Sequence, residues 1–236
     1  MNMDKLIEYQ NELAGKDAAE VLKWSLKEFG PAQVILASSF SIEDQVLTHM
    51  LSNNNLAARI LTLDTGRQFQ ETYDVMQQTI EKYGIRYEVA VPAAEEVAAL
   101  LADAGPNAMY QSLVKREACC AVRKMRPLAR TLTNVGAWIC GLRRDQALTR
   151  TGTDIIEWDG RHGTYKISPL ADWSEADVWR YIKDNEVPYN TLYDQGFRSI
   201  GCAPCTRATG PDEDIRSGRW WWEAPEHKEC GLHKKQ

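Results

Sequence analysis

Two cysteine groups carry the most specific chemistry in this 236-residue chain: the pair Cys119-Cys120 and the run Cys202-Ala203-Pro204-Cys205. Together they supply four thiolates from two distant segments. Structural zinc sites space their cysteines two to four residues apart, because ligands around one small tetrahedral ion need room; adjacent cysteines diverge and crowd it. An iron-sulfur cube offers each thiolate its own corner, so neighbouring cysteines can take different irons. The residues therefore favour a [4Fe-4S] cluster on Cys119, Cys120, Cys202 and Cys205, with zinc as the alternative. Cys202 and Cys205 alone would suit a dithiol redox pair, but no strand-turn-helix pattern opens there.

A fifth cysteine, Cys230, lies near the end in Glu229-Cys230-Gly231-Leu232-His233, with Lys228, Lys234 and Lys235 around it. Positive surroundings lower a thiol's pKa, and the thiolate is the nucleophile. Cys230 is thus a candidate nucleophile; the alternative is an idle surface cysteine. Cys140 sits in an apolar run and reads as core packing. Basic residues group as Arg123, Lys124 and Arg126, as Arg143 and Arg144, and as Arg216 and Arg219. In a chain of net charge -5 such groups point to a local site for a small polyanion. A solvated face accounts equally for Arg126 and Arg130. Lys124 stands one helical turn beyond Cys120, where its ammonium can lie between a cluster and a substrate.

Elements must hold these groups in place. Residues 4 to 29 read as two short helices split at Gly15. Gln33 to Ala37 is a buried-type strand, followed by Ser38-Ser39-Phe40-Ser41 and a helical pattern through Leu51. Ser41 with Asp44 resembles a capping box, so the serine loop meets a helix N-terminus, either as a plain cap or as an anion site. Arg59 to Leu63 repeats the strand signal and ends in Asp64-Thr65-Gly66, before a helix to about Lys82. A third strand covers about Arg86 to Val91. Residues 94 to 103 look helical, and a helix from about Glu117 carries the cysteine pair. Ala137 to Cys140 is a further strand ending at Gly141-Leu142-Arg143-Arg144. Ser174 and Asp177 cap a helix to Asn185. Strands alternating with helices imply a parallel sheet that binds ligands at its strand ends. The expected division is a nucleotide- and cluster-binding α/β domain over 1–205 and a mobile, extended C-terminal tail over 206–236.

Composition bounds the rest. With 44% hydrophobic and 26% charged residues the chain is an ordinary globular protein, which excludes disordered and fibrous classes. Its acidic balance argues against nucleic acid as a partner. No apolar run suits a membrane span and no signal-peptide pattern opens the chain, so a cytoplasmic location is expected. A reducing compartment and an adequate core also remove the need for disulfides.

These pieces resemble the assimilatory adenylyl-sulfate and phosphoadenylyl-sulfate reductases from about residue 15 to the end. The likeness rests on the serine loop, Leu63-Asp64-Thr65-Gly66, the four cluster cysteines and the terminal Glu229-Cys230-Gly231-Leu232-His233. It implies a Rossmann-like pyrophosphate-loop fold of the adenine-nucleotide alpha-hydrolase type. By that resemblance Cys230 attacks the sulfur of adenosine 5'-phosphosulfate, expels AMP and keeps an S-sulfonate, which thioredoxin or a glutaredoxin-like donor releases as sulfite. Phosphate would lie at Ser38, Ser39 and Phe40, with adenine against the backbone near Leu63 and Gly141. Lys124, Arg143, Arg144, Arg216 and Arg219 would offset the anionic oxygens, and His233 would orient the nucleophile. The [4Fe-4S] cluster would act electrostatically and structurally. Members with the four cysteines generally use the nucleotide without a 3'-phosphate; the 3'-phosphorylated substrate, or both, is the alternative. A tRNA-thiolating pyrophosphate-loop enzyme is more distant, because Phe40-Ser41 replaces its glycine pair. Homo-oligomerisation is left open.

Overall fold

In a computed structural model the run Val34–Ser38 forms β1, whose Val34, Ile35 and Leu36 are wholly buried. A strand apolar on both faces must lie inside a parallel sheet, and β1 does. The structure describes residues 3–147 and 150–224. Parallel neighbours flank β1: β2 (Arg59–Leu63) with Leu36 opposite Ile60, and β4 (Ala137–Ile139) with Ile35 opposite Trp138. With β3 (Tyr87–Ala90), β5 (Ile156–Asp159) and β6 (Thr164–Ile167), the six strands run in the order β3-β2-β1-β4-β6-β5. Strand order reverses at β1, so the carboxyl ends of β1 and β4 flank the switch point where such sheets open a crevice.

The helices are α1 (Met3–Leu13), α2 (Ala18–Phe29), α3 (Ile42–Asn53), α4 (Gln70–Tyr83), α5 (Ala94–Ala104), α6 (Leu113–Cys120), α7 (Arg126–Leu132) and α8 (Glu175–Asp184). Helices α2 and α3 pack on β1, α1 on β5, and α8 on α3. No helix among the described residues is long and apolar enough to cross a membrane.

The described chain forms two compact units. Among the described residues, unit 1 comprises 3–62, 74–88, 132–147 and 150–190, and unit 2 comprises 63–73, 89–131 and 191–224. The core of unit 1 is the sheet with its helices. Unit 2 has a small core of Met109, Cys202, Cys205 and Trp220, with Trp222 against it.

The structure departs from the sequence reading in five places, the first being β6 (Thr164–Ile167), where the sequence reading expects no strand. The sheet is not wholly parallel: β6 runs parallel to β4, but β5 folds back antiparallel to β6 as an edge strand. Its residues Ile156-Glu157-Trp158-Asp159 mix polar and apolar types, so no apolar run betrays it. The cysteine-bearing helix starts at Leu113, capped by Ser112, whose hydroxyl accepts from the Lys115 N–H. Ser41 caps α3, but Asp44 does not cap back; its carboxylate goes elsewhere, as described below. Finally, Thr206 to Ala224 are folded: Thr206 pairs antiparallel with Arg219, and Trp220 is 1% exposed. The composition there is polar, yet its tryptophans supply the apolar surface that folds it.

Candidate active site

In unit 1 the residues after β1 and β4 meet through one carboxylate. Asp44 accepts from the Ser39 N–H at 2.6 Å, the Ser39 hydroxyl at 2.8 Å and the Gly141 N–H at 3.2 Å. The two loops at the switch point are thereby tied together beside the N-terminus of α3. Burial is the main force raising the Asp44 carboxyl to about pH 6; the Ser39 and Ser41 contacts pull the other way. Gly141 is required by space: a Cβ there would lie 2.6 Å from the Glu43 Cβ and 2.7 Å from Asp44 Oδ1. Phe40 holds φ at 61°, a left-handed conformation that bulky residues adopt only under constraint. The Ser38 hydroxyl accepts the Phe40 N–H, and the Phe40 ring packs 5.1 Å from Tyr87.

Arg143 belongs to this cluster in a different way from its sequence reading. It is 2% exposed, its Nε bonds Glu43 at 2.9 Å and its Nη1 bonds Asp145 at 3.1 Å. Its charge is thus matched by carboxylates. Arg144 donates to the Thr153 carbonyl at 2.7 Å and pairs with Asp172. Both arginines hold the loop after β4. Cys140 is buried with its thiol raised by burial and near the Ser168 hydroxyl, in keeping with core packing.

In unit 2 the four candidate ligands Cys119, Cys120, Cys202 and Cys205 line one cavity, with about 390 Å³ of empty space counted out to its open mouth. Helix α6 runs through a π-turn, Ala121–Met125, into α7. This places Arg116, Cys119, Cys120, Arg123 and Lys124 on the cavity side, at the three- and four-residue spacings that share a helix face. Opposite, Cys202 and Cys205 flank a tight turn in which the Cys205 N–H donates to the Cys202 carbonyl at 2.9 Å. Thr65 joins the two sides: its hydroxyl lies 3.3 Å from the Cys202 sulfur, and its carbonyl accepts from Arg123 at 2.6 Å. Gly201 has no side chain because the Arg219 guanidinium occupies that space.

The thiols differ in their surroundings. Burial raises Cys119 and lifts Cys205 to about 11, the latter aided by the neighbouring Cys202. Burial acts upward on Cys202 too, but Lys124, the Thr65 hydroxyl, Arg219 and Arg123 outweigh it and bring that thiol below its ordinary value.

The donor set fits an iron-sulfur cluster. Four thiols on one cavity match in number the four corners of an iron-sulfur cube. Such a cluster on four thiolates is anionic, and the lining holds five cations, Arg67, Arg116, Arg123, Lys124 and Arg219, with no carboxylate. Buried Nε atoms of Arg123 and Arg219 and Nε1 of Trp220 have no hydrogen-bond partner among the described residues. All three residues line the cavity, so a bound anion could satisfy such donors.

Of the other residues singled out in the sequence, Arg219 lines the cavity, whereas Arg216 does not. The Leu63 carbonyl accepts from Gln68 at 3.1 Å. Cys230 and His233 lie outside the described residues. Sequence reading missed Arg116, Arg67 and Thr65. The stripe 116, 119, 120, 123, 124 was open to detection, since one helix carries it; Arg67 reaches the cavity, and Thr65 the lining residues Cys202 and Arg123, through tertiary contacts alone.

The chain was compared with known proteins. Residues 33–208 match the family model described as the phosphoadenosine phosphosulfate reductase domain. Among curated proteins it is similar to the adenosine 5'-phosphosulfate reductase of Allochromatium vinosum, at 46% identity over 93% of this chain and 85% of that protein. It is also similar to that of Burkholderia cepacia, at 45% identity over 94% and 89%. Among solved structures, phosphoadenylyl-sulfate reductase from Candida auris in its phosphate complex superposes with a TM-score of 0.73 at 25% identity, covering 86% of this chain and 96% of that one. Candida glabrata FMN adenylyltransferase, with a TM-score of 0.55 at 13% identity over 97% and 78%, shares the fold alone. The matched span runs from the start of β1 past Cys205, and with relatives this similar over nearly their whole length the chain belongs to the phosphoadenosine phosphosulfate reductase family.

Proposed function

We propose that this protein reduces adenosine 5'-phosphosulfate to sulfite and AMP, with thioredoxin as reductant, in sulfate assimilation and cysteine biosynthesis. The observation that carries the reading is the cavity of unit 2, where four thiols and five cations line one space and a single carboxylate, Glu223, pairs with one of those cations, Arg116. Relatives named adenosine 5'-phosphosulfate reductase at 42% to 46% identity favour the nucleotide without a 3'-phosphate.

The Cys230 thiolate attacks the sulfur of the sulfonate group; an S–S bond forms as the S–O bond to phosphate breaks, and AMP leaves with the electron pair. A thioredoxin thiolate then attacks the Cys230 sulfur and expels sulfite. The second thioredoxin thiol resolves the mixed disulfide, returning Cys230 and leaving oxidised thioredoxin. Both steps bring an anion toward oxygens already negative, so fixed cations lower the barrier. In unit 2 Lys124 and Arg219 are assigned that work. In unit 1 the serine loop, tied by Asp44, lies beside the N-terminus of α3, and a nucleotide phosphate there would take the Ser39 N–H and hydroxyl and the Phe40 N–H in exchange for their present partners Asp44 and Ser38. Cys119, Cys120, Cys202 and Cys205 would hold the [4Fe-4S] cluster, which supplies electrostatic and structural support when bound.

Sulfite release from each nucleotide, measured side by side with reduced thioredoxin, tests the proposal. Faster turnover of the nucleotide without a 3'-phosphate is expected, with an S-sulfonate on Cys230 when reductant is withheld. Preference for the 3'-phosphorylated substrate would overturn the specificity, and label on any other residue would overturn the mechanism.

A further inference from the structure

We propose that the buried ion pair between Arg116 and Glu223 anchors the root of the nucleophile-bearing segment to the helix that bears the cysteine pair, and so positions Cys230 for sulfur transfer. The inference rests on the proposed role of Cys230 and adds a residue pair to it.

Arg116 and Glu223 are 1% and 6% exposed at their side chains. Nε and Nη2 of Arg116 each donate to one carboxylate oxygen of Glu223 at 3.0 Å, the two-pronged geometry that fixes direction as well as distance. Trp220, 1% exposed, lines the same cavity as Arg116, with the Arg116 guanidinium 4.8 Å and the Arg219 guanidinium 4.6 Å from its ring centroid. The Glu223 N–H donates to the Trp220 carbonyl at 2.8 Å, closing a turn over that ring. Arg116 stands on α6 three and four residues before Cys119 and Cys120, and all three line the cavity.

A buried ion pair is a poor way merely to fill a core, because apolar residues of similar size do as well. What it adds is register. Cys230 follows Glu223 by seven residues in the sequence, so an anchor at Glu223 limits its reach to about 25 Å at roughly 3.5 Å per residue. Released to Trp220, the same chain would gain three residues of slack. A shorter, oriented tether raises the effective concentration of the thiolate.

The test uses iron-loaded full-length protein and sulfur-labelled adenosine 5'-phosphosulfate, with transfer to Cys230 timed in a single turnover. For Glu223→Gln, iron content and AMP affinity should stay within about twofold of the parent, while the transfer rate falls roughly three- to tenfold. Backbone amides of Trp220 to Glu223 should also lose protection from hydrogen exchange, a readout that does not need the reaction. Removing two residues between Ala224 and Cys230 should slow transfer in the parent, and Glu223→Gln should recover part of that loss by supplying slack. Unchanged transfer and protection in Glu223→Gln, loss of its iron, or simple addition of the two defects would each overturn the anchor. A parent that never labels Cys230 would instead sink the sulfur-transfer reading, whatever the exchange data show.

Discussion

Asp44 takes three donors from two loops and is still pushed up to about 6, from an ordinary 3.8, chiefly by burial. A carboxyl raised on folding binds its proton more tightly in the folded state, so its contribution favours folding below about pH 4 and is lost as pH rises through 6. At about 1.4 kcal/mol per unit this is on the order of 3 kcal/mol. Urea unfolding of parent and Asp44→Asn between pH 4 and 7 should show the parent losing ground to the variant as pH rises; parallel curves would contradict the raised pKa. Gly141→Ala should cost roughly 1 to 3 kcal/mol and weaken AMP binding, because the Cβ of Glu43 and the tied carboxylate of Asp44 cannot both withdraw. Denaturation and calorimetric titration with AMP would read both effects. At this scale the grouping of the four cysteines that line one cavity was legible, because few structures explain two such groups, whereas the steric need for Gly141 was not, since it comes from the approach of Glu43 and Asp44. The work of Asp44 was not, since a serine three residues before an acid spells a helix cap just as well.

Between α6 and α7 the π-turn Ala121–Met125 keeps Arg123 and Lys124 over the same cavity as Cys119 and Cys120 while letting Leu128 and Leu132 of α7 reach the core. Such turns are one-residue insertions in a helix, and they concentrate at functional sites. Deleting Ala121 should let the helix close to ordinary α geometry with α7 still packed, but should put Lys124 three residues from Cys120 instead of four. Melting temperature should change by a few degrees, whereas turnover should fall roughly tenfold or more. A large fall in melting temperature together with activity would mean that the turn serves packing alone. The apolar strands and capped helices were readable from periodicity; this turn was not, because an extra residue within a continuous helical pattern leaves no mark in the spacing of apolar residues. The antiparallel edge strand β5 escaped for a related reason: paired on one side only and half-buried, it needs no apolar run.

At the scale of the whole molecule the two units differ in what holds them. Unit 1 is built on a sheet whose central strand and flanking helices bury Val21, Leu22, Val34, Ile35, Leu36, Leu47, Trp138 and Ile139 almost completely, so it owes little to any cofactor. In unit 2 two of the four core residues are Cys202 and Cys205, and the cavity they line gathers five cations, offset in part by the Glu223 carboxylate on Arg116, which an anion placed among them would stabilise further. Binding free energy at such a site is folding free energy for the residues around it. Chelating iron from protein loaded with the proposed cluster should therefore act on one unit. Backbone amides of residues 200–206 and 219–223 should exchange faster by a factor of ten or more, about 1.4 kcal/mol of lost local stability, while those of β1 and β4 hold their protection. Equal deprotection of β1 would mean that the sheet of unit 1 also depends on the cluster; unchanged exchange around Cys202 and Trp220 would mean that the cavity is preformed and its cations are balanced by other means.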